Sequence, residues 1–490
     1  MKSEKKLFDI VVVGGGGAGL AAAIEAASLG VRVVLLEKNN HLGGSTAWSI
    51  GSISSTLTPH QKKKKIIDSP QHHWEDMPGF AGDLGDRDND ELRKILCDEI
   101  PNTFQWLLDS GVRFLGPMPE PPHRQPRMHN VLPNSRSFIY HLERRAKKAG
   151  VVIKFNSNVT KLIQDKNEVA GVIVRTKNGE EIYAAKGGVI LASGDFTNSE
   201  VLKARFMGLQ AAKVEAVNSS STGDGHVMAE ILGGQILNGD LALGPELRFI
   251  APVKETLMRR LPPWAWFSTL IEWSIELLPD FMLRPFLMKF LTTALAPSIS
   301  LFEYGAILVN QDGLRFGDEK KQPALRVPDQ PGKVSYIILD RDLAEKFNFW
   351  PHFISTAPGI AYAYTNDYKV NRPDVYTQAN SIKELSIKLK MNLQNLEKSL
   401  NQSTEISLSK GPFVALGPVR SVFVHNEGGL KVDSNHRVLD SMNKPISGLY
   451  AAGSTGQGGL LLKGHGHHLA WAFVSGRRSG RIAAHRALIS

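Results

Sequence analysis

The sequence contains a single cysteine, Cys97, among 490 residues. One thiol forms no disulfide within the chain and cannot supply a cysteine-ligated zinc or iron–sulfur site, so the sequence excludes both kinds of construction. Low cysteine usage suits a reducing compartment. We therefore expect a cytoplasmic location, with no signal peptide before the first predicted strand.

Long apolar runs are missing as well. No uninterrupted run reaches the roughly 18 residues that a membrane-spanning helix requires. The nearest is the apolar insert at 261–302, which prolines and basic residues interrupt, among them Pro263, Arg284 and Lys289. Two interpretations stay open: an apolar lid or peripheral membrane contact through 261–302, or an internal helical core of a second domain.

Acidic residues are outnumbered, with 48 Asp and Glu against 58 Lys and Arg, which gives a net charge of +10. Part of the excess lies in the run Lys62-Lys63-Lys64-Lys65. A solvated loop is the favoured interpretation of this run, and a phosphate-rich or anionic-lipid surface is the alternative. No stretch interleaves basic and aromatic residues, so we expect no nucleic-acid partner.

The N-terminal stretch has the pattern of a dinucleotide-binding unit. Residues 8–13 predict a strand, Gly14, Gly16 and Gly19 follow with G-x-G-x-x-G spacing, and residues 21–27 predict a helix. A second predicted strand ends at Glu37, where a carboxylate can bind ribose hydroxyls. The helix N-terminus favours a pyrophosphate. This unit alone leaves NAD and FAD open.

Further glycine-rich and hydroxyl-rich segments recur along the chain. Gly43, Gly44, Ser45, Thr46 and Ser49 follow Glu37, and a predicted buried strand runs into Ser193 and Gly194; later come Thr222-Gly223-Asp224-Gly225 and Gly453. Elsewhere we expect a long surface loop over 54–90, a helix over about 381–400 and a final helix from Ala470 to Leu488.

In their order, these motifs resemble the fumarate reductase/succinate dehydrogenase flavoprotein superfamily, which includes the 3-ketosteroid dehydrogenases. The resemblance also rests on Arg315-Phe316-Gly317-Asp318-Glu319, Gly428-Gly429-Leu430 and Gly448-Leu449-Tyr450-Ala451-Ala452-Gly453. It implies an α/β fold: a Rossmann-like FAD-binding domain built from two segments, 1–240 and 411–490, with an inserted α+β cap (substrate) domain at 241–410.

The resemblance implies noncovalent FAD, because His41 lacks the sequence surroundings of a covalent flavin site. The implied cofactor-binding residues are Gly14, Gly16, Gly17, Ala18, Gly19, Glu37, Lys38, Gly43, Gly44, Ser45, Thr46, Ser49, Val159, Ser193, Gly194, Asp224, Gly453 and Leu469. The implied chemistry is hydride transfer between flavin N5 and a carbon β to a carbonyl or carboxylate, with a protein group moving the proton at the neighbouring carbon.

The implied catalytic residues match the family unevenly. His425 takes the place of a substrate-binding histidine, and Lys463 falls near a carboxylate-clamping arginine, whose fork it lacks. Glu319 matches a family glutamate, and Arg326 is one candidate for the acid that follows it. The backbone N–H of Gly466 would polarise a carbonyl, although the tyrosine of the Δ1-dehydrogenases is absent. For one of His465, His467 and His468 we favour a role as proton donor or flavin-side hydrogen-bonder over a metal site formed by all three.

The apolar insert indicates which kind of substrate the protein binds. Together with the missing arginine clamp, it favours a 3-ketosteroid-like or other lipophilic enone or ketone as the small-molecule substrate. Three alternatives stay open: a fumarate-like or urocanate-like acid substrate, a flavoprotein subunit of an electron-transfer complex, and a flavin-binding scaffold without catalysis. The electron donor or acceptor cannot be identified from the sequence.

Overall fold

A computed structural model describes residues 5–252, 260–277, 284, 288–289, 291–293, 295–357, 361–402 and 408–489. Its strands, numbered along the chain, are β1 Lys5–Val13, β2 Val33–Leu36, β3 Ser52–Ser54, β4 Arg113–Met118, β5 Met128–Leu132, β6 Val152–Lys154, β7 Asn158–Asp165, β8 Glu168–Thr176, β9 Gly179–Leu191, β10 Glu215–Ala216, β11 Ile236–Leu237, β12 Ala242–Leu243, β13 Glu246–Phe249, β14 Ile307–Asn310, β15 Ser335–Leu339, β16 Ser355–Ala357, β17 Ala361–Ala363, β18 Tyr376–Ala379, β19 Phe413–Phe423, β20 His425–Asn426, β21 Gly429–Leu430, β22 Arg437–Leu439 and β23 Pro445–Ala451.

The α-helices of the same residues are α1 Gly17–Ser28, α2 Gly44–Trp48, α3 Pro59–Lys63, α4 Pro70–Asp76, α5 Pro78–Ala81, α6 Asp90–Asp109, α7 Arg136–Lys148, α8 Glu200–Met207, α9 Leu209–Ala212, α10 Asp224–Glu230, α11 Ala265–Leu277, α12 Ser300–Glu303, α13 Arg341–Lys346, α14 Thr365–Asn371, α15 Ile382–Leu389, α16 Leu393–Asn401 and α17 His467–Ile489. Short 3₁₀ helices cover Gly82–Arg87, Pro323–Asp329, Pro331–Lys333 and Gly453–Gly456.

The larger sheet contains both ends of the sequence. Its strands run in the order β22-β23-β9-β1-β2-β6, and the hairpin β7-β8 joins through β9. β1 pairs parallel with β2 and β9, and β9 pairs parallel with β23. The run Ile10–Val13 is buried, as expected of a parallel strand covered on both faces. Because β1 and β23 share one sheet, the first and last parts of the chain form one Rossmann-like layer, which confirms the predicted fold class.

Helix α17 packs closely on α1. A Cβ added to Gly476 would come 2.3 Å from Ala18 O, and one added to Gly480 would come 2.2 Å from Ala22 O. Only hydrogen fits at these two positions, so the two backbones approach more closely than larger side chains allow. This contact fixes the C-terminal helix against the glycine turn that precedes α1.

A second sheet is built around β19. It runs β10-β19-β15-β14, and β13 and β18 also pair with β19. Its apolar residues form a separate core that includes Phe249, Ile337, Leu339 and Leu416. The division into 1–240, 241–410 and 411–490 stays a prediction. Because β19 pairs with strands of the second sheet, we propose that the chain returns to the first domain after residue 423 rather than at 411.

Two predictions of local structure were wrong. Residues 54–90 are not a loop, since α3, α4 and α5 lie there; α3 and α4 each begin at a proline after a Ser or Thr side chain that caps the helix. The helix predicted over 381–400 is two helices, because Lys390 takes a left-handed conformation with φ of 57° between α15 and α16.

The structure describes the apolar insert 261–302 only in part. Its α11 packs on β4 and β5, and Ser268 Oγ donates to Leu132 O at 3.2 Å. The rest of the predicted insert includes residues 278–283, 285–287, 290 and 294, which lie outside the described part. Within the described chain, no helix combines the length and the apolar character needed to cross a bilayer.

Candidate active site

The glycine turn lies between β1 and α1. Gly14 has φ of +106° and donates its N–H to Leu36 O at 2.9 Å, which ties the turn to β2. A Cβ on Gly19 would come 1.9 Å from Gly14 O, so this glycine permits close packing of helix and turn. The N–H of Gly17 points to Thr46 Oγ1 at 3.1 Å. The first N–H groups of α1 therefore face the segment that carries the predicted phosphate-binding hydroxyls.

A cavity opens in front of this turn, and its empty space, counted out into the open solvent, is about 820 Å³. It lies at the carboxyl ends of the parallel strands β1, β2 and β9, which is where open α/β sheets bind their ligands. The predicted residues that line it are Gly14, Gly16, Gly17, Ala18, Glu37, Lys38, Gly44, Ser45, Thr46, Val159, Ser193, Gly194, Asp224 and Gly453. The structure thus brings distant parts of the sequence together around one cavity, and their backbone amides, hydroxyls and carboxylates fit a dinucleotide.

Four other predicted cofactor residues do not line the cavity. Gly19 serves the packing described above, and Gly43 N donates to Gly15 O at 3.0 Å. Ser49 Oγ donates to Thr46 O at 2.8 Å and so stabilises the end of α2. Leu469 packs, partly buried, against the main core. Their cofactor contacts stay predictions.

Glu37 lies at the carboxyl end of β2 and is 6% exposed. Its Oε2 accepts from Gly15 N at 2.7 Å, and its Oε1 accepts from the N–H of Asn39 at 2.8 Å. The carboxylate therefore holds the glycine turn as well as lining the cavity. Its contact with ribose stays a prediction.

The rim opposite α1 is a polar network that the sequence analysis found only in part. Lys38 Nζ lies 2.6 Å from Thr222 Oγ1 and 2.9 Å from Asp224 Oδ2, and Asn218 Nδ2 donates to Ser45 Oγ at 2.9 Å. Lys38 and Asp224 were predicted, whereas Asn218 and Ser220, which also line the cavity, were missed. The polar run before Thr222-Gly223-Asp224-Gly225 was the available signal.

A group of three ionisable side chains, which we call the Glu427 group, contains Glu427, His425 and His468. Glu427 Oε2 accepts from the side-chain amide of Gln457 and from Leu462 N at 3.2 Å. Its Oε1 lies 3.7 Å from His425 Nε2 and 3.3 Å from His468 Nε2. The centroids of the two imidazole rings are 3.8 Å apart. One oxygen of a buried carboxylate thus faces two histidines.

The charge balance of this group depends on the histidines. Burial alone would raise the pKa of Glu427, but His468 and His425 outweigh it and hold that pKa well below its usual range. Burial lowers the pKa of His468, and the neighbouring His425 lowers it further. The carboxylate is therefore ionised, and its charge partly offsets the lowering of the His468 pKa.

The Glu427 group lies close to the cavity. Gly453, Ser454 and Ala472 line the cavity. Gln457, which bonds Glu427, follows Ser454 within the same short segment, and His468 precedes Ala472 by one turn of α17, which is about 6 Å along the helix axis. The cavity and the two histidines are therefore neighbouring parts of one site.

The three histidines of the turn before α17 have different partners. His465 Nδ1 pairs with Glu120 Oε1, a contact that raises the pKa of His465. His467 turns inward and joins the buried residues His73 and His123, with its Nε2 3.3 Å from His73 Nε2. Only His468 joins His425.

The inward cluster of His73, His123 and His467 is uncharged. Burial lowers the pKa of His123 to about 2 and that of His467 to about 4, and holds that of His73 well below its usual range. His123 Nδ1 lies 2.8 Å from Arg127 Nη1, and Arg127 is itself buried between Asp68 and Asp76. Potential metal-ligand atoms lie within 4.8 Å of one another both in this cluster and in the Glu427 group. The guanidinium beside His123 disfavours a cation in the former.

The remaining predicted catalytic residues lie in two places. Lys463 and Gly466 belong to the turn before α17; Gly466 has φ of +92°, and its Cβ would come 2.4 Å from Ser54 N. Glu319 is buried beside β14 of the second sheet, where Arg315 Nη2 donates to it at 2.7 Å and Leu308 N donates at 3.1 Å. Arg326 lies against Gly317. Among the contacts of the described residues, neither Glu319 nor Arg326 reaches the Glu427 group, so their catalytic roles stay predictions.

Fold and cavity together define a dinucleotide-binding protein with a Rossmann-like layer. A family model described as "FAD binding domain" matches residues 9–250 and 299–461, and the chain belongs to this family. The chain is therefore an FAD-binding protein. The predicted cofactor, FAD, is thereby confirmed.

Two curated relatives illustrate the spread of this family. The NADH:fumarate oxidoreductase of Klebsiella pneumoniae is 25% identical over 98% of this chain, and the chain spans 48% of that protein, about half its length. The vinyl phenol reductase of Lactiplantibacillus plantarum is 26% identical over 97% of this chain and 96% of its own length.

Solved structures support the fold. The open conformation of a flavocytochrome c3 fumarate reductase matches 99% of this chain and 79% of its own, at 23% identity, with a TM-score of 0.74. A 3-ketosteroid-Δ4-(5α)-dehydrogenase from Rhodococcus jostii matches 98% of this chain and 97% of its own, at 22% identity, with a TM-score of 0.60. The chain thus shares its fold with both groups.

Proposed function

We propose that the chain moves a hydride between flavin N5 and a carbon β to a carbonyl, forming or reducing a C=C bond in a lipophilic enone or ketone of the 3-ketosteroid kind. The observation that carries the proposal is the Glu427 group beside the cofactor cavity. Bound FAD would supply the hydride acceptor or donor. The protein must then move the accompanying proton.

Proton movement falls to His425 in this proposal. Glu427 is an ionised carboxylate with 3% side-chain exposure, whereas the side chain of His425 is 23% exposed. A buried carboxylate stabilises a protonated imidazole beside it, as in other catalytic histidine–carboxylate pairs. His425 can therefore hold a proton at its exposed face and exchange it with the α-carbon of a substrate. His468 and Glu427 would not touch the substrate and would position His425.

The surroundings of His425 favour an apolar substrate. β20 pairs antiparallel with β12, and the register places Leu243 directly opposite His425, on the same face of this ribbon. Leu243 is 47% exposed. The predicted anion-binding residue on the turn before α17 is Lys463, which offers a point charge and no bidentate fork. One carbonyl suits this arrangement better than two carboxylates do.

A small unsaturated carboxylate is the second candidate. His425 and Lys463 are the residues that favour it, because a histidine and a lysine can together bind one carboxylate. The first curated relative is named for fumarate, which is a precedent of the same kind.

An anaerobic titration separates these substrates. We expect the chemically reduced flavin to be reoxidised faster by steroid enones than by fumarate, with the absorbance of the oxidised flavin as the readout. Equilibrium binding of a saturated ketone, measured as a perturbation of the oxidised flavin spectrum, supplies a second readout without turnover. Preferential reoxidation by fumarate would overturn the lipophilic assignment and support the second candidate.

Location and membrane contact are part of the same proposal. We propose a cytoplasmic protein, because its one cysteine is buried and forms no disulfide, as is common in reducing compartments. We also propose a peripheral membrane contact through 261–302, which suits a substrate that dissolves in lipid.

A further inference from the structure

The described part of the apolar insert contains one strongly exposed apolar face. On α11, Trp266 is 64% exposed, Leu270 52%, Trp273 65% and Leu277 80%. Their spacing of four, three and four residues places them on one side of the helix. Buried Ser268 lies on the other side, which packs on β5. The exposed face extends over about 16 Å of the helix axis.

The lysine run Lys62–Lys65 adjoins this helix in space. It begins in α3, whose His60 Nε2 lies 3.6 Å from Glu272 Oε1 of α11. Both helices lie on β4: His60 Nε2 is 3.1 Å from Phe114 O, and Lys64 Nζ donates to Pro117 O at 3.4 Å. All four lysines are exposed, and Ile67, just beyond them, is 86% exposed. Positive charge and exposed aromatic side chains thus come from distant parts of the sequence to one surface.

We propose that these two elements form a single docking surface for an anionic phospholipid bilayer. The surface consists of Trp266, Leu270, Trp273 and Leu277 with Lys62–Lys65, and we call it the tryptophan–lysine surface. Tryptophan favours the membrane interface, where its apolar ring and its N–H are both accommodated, and clustered lysines are attracted to anionic headgroups.

Charge selects the lipid class. α11 carries two acidic residues, Glu272 and Glu276, and no basic one, so this helix alone would be repelled by an anionic surface. The lysine run reverses that balance only because α3 lies beside α11. The proposal deepens the peripheral membrane contact of the proposed function, on which it rests, and is independent of the flavin reaction.

Vesicle sedimentation tests the surface. The full-length FAD-loaded protein is mixed with vesicles of phosphatidylcholine alone or with about one-third phosphatidylglycerol. We expect binding to the anionic vesicles, weakened by added salt, and little binding to the neutral ones. Two variants test the two parts: one in which Lys62, Lys63, Lys64 and Lys65 are changed to Gln, and W266S/W273S. Each should lower binding about tenfold.

Matched controls show whether the position of the changed residues matters, or only the loss of charge and apolar surface. The first changes four other exposed lysines, Lys161, Lys369, Lys383 and Lys398, to Gln and so removes the same charge elsewhere. The second is V201S/I387S, at residues that are 77% and 68% exposed. Both should bind like the parent. If the first control loses as much vesicle binding as the Lys62–Lys65 variant, net charge alone explains the effect and the proposed docking surface is rejected.

Two further results would also reject the proposal. If the parent protein does not bind anionic vesicles, the membrane proposal is rejected, whatever the flavin reaction turns out to be. A concentration-dependent dimer in the parent that W266S/W273S abolishes, without any vesicle binding, would assign the surface to a second copy of the chain. Retention of bound flavin in every variant verifies that each has folded.

Discussion

His465, His467 and His468 illustrate how far a local sequence pattern can assign roles. They lie within four residues, yet one binds Glu120, one enters a buried histidine cluster and one faces His425. The sequence indicated that histidines collect at this turn. It could not indicate which of them faces His425, because that depends on where α17 begins and on partners far away along the chain.

Glu427 was missed as a functional residue for a related reason. In the sequence it lies within Asn426-Glu427-Gly428-Gly429, next to His425 and the glycine motif, to which the sequence analysis gave the functional roles. Its role is visible only when Gln457, Leu462 and the two imidazoles surround it. By contrast, the glycine turn and Glu37 were predictable, because their spacing within about 25 residues fixes their geometry.

Glu427 is a positioning residue in the proposed reaction, and Glu427→Gln tests that role. Removal of the charge leaves the imidazoles without a partner that stabilises their proton, so turnover should fall by about a hundredfold. Flavin content should stay unchanged. The pH at which turnover is half-maximal should also shift to lower values, since a protonated imidazole is no longer favoured.

The conservative variant Glu427→Asp distinguishes charge from packing. It keeps the carboxylate and should recover part of the turnover and the parental pH profile, measured over about pH 5–9. Glu397→Gln, at an exposed position of α16, serves as the control for the loss of one carboxylate. An unchanged pH profile in Glu427→Gln would indicate a purely structural residue.

At the scale of elements, the α1–α17 contact determines whether the glycine turn is held in place. Gly480→Ala tests this contact. Alanine normally stabilises a helix by about 1 kcal/mol relative to glycine. In α17 the added Cβ would lie 2.2 Å from Ala22 O, a backbone atom that cannot move without shifting α1. We therefore expect the opposite sign: a loss of about 1–3 kcal/mol in unfolding free energy and weaker FAD retention.

Chemical denaturation with bound-flavin fluorescence measures both effects. Leu488→Ala, at a 58% exposed position of the same helix, should change the unfolding free energy little. A more stable Gly480→Ala variant would show that α17 can move away from α1 without cost, and close packing would then no longer explain its glycines.

Elements also differ in how predictable they were. The last helix, α17, was anticipated, since the sequence analysis predicted a helix from Ala470 to Leu488 and α17 runs from His467 to Ile489. The break between α15 and α16 was not, since the left-handed turn at Lys390 replaces the glycine that usually marks such a stop. The helices within 54–90 were also missed, because α3, α4 and α5 have five, seven and four residues, too few to show a helical period.

Buried, uncharged histidines are spread over the whole molecule. Burial lowers the pKa of His123 to about 2, of His129 and His436 to about 3, and of His226 and His467 to about 4, and it holds that of His73 well below its usual range. In the unfolded chain each would titrate near a pKa of about 6.5. Buried histidines near the site and in the core therefore make the stability of the folded protein depend on pH in the same direction.

The sign of this dependence follows from proton counts. Below about pH 6.5 the unfolded chain binds protons that the folded chain excludes, so acid stabilises the unfolded state. Each of these histidines contributes up to about 1.4 kcal/mol per pH unit. His465 acts in the opposite direction, because Glu120 raises its pKa and the folded state then gains stability at low pH. The net effect remains a loss of stability on acidification.

We therefore expect the melting temperature to fall steeply between about pH 6.5 and 5, before most carboxylates titrate. Thermal unfolding in matched buffers at closely spaced pH values measures it. Changing the exposed residues His41 and His485 to Gln supplies the control, because it removes two histidines from the surface and leaves every buried one in place. A melting temperature that is constant over this range would mean that the buried histidines gain access to water or counter-charges in the folded protein. In that case the uncharged inward cluster beside the proposed active site would have to be reassigned as a protonated one.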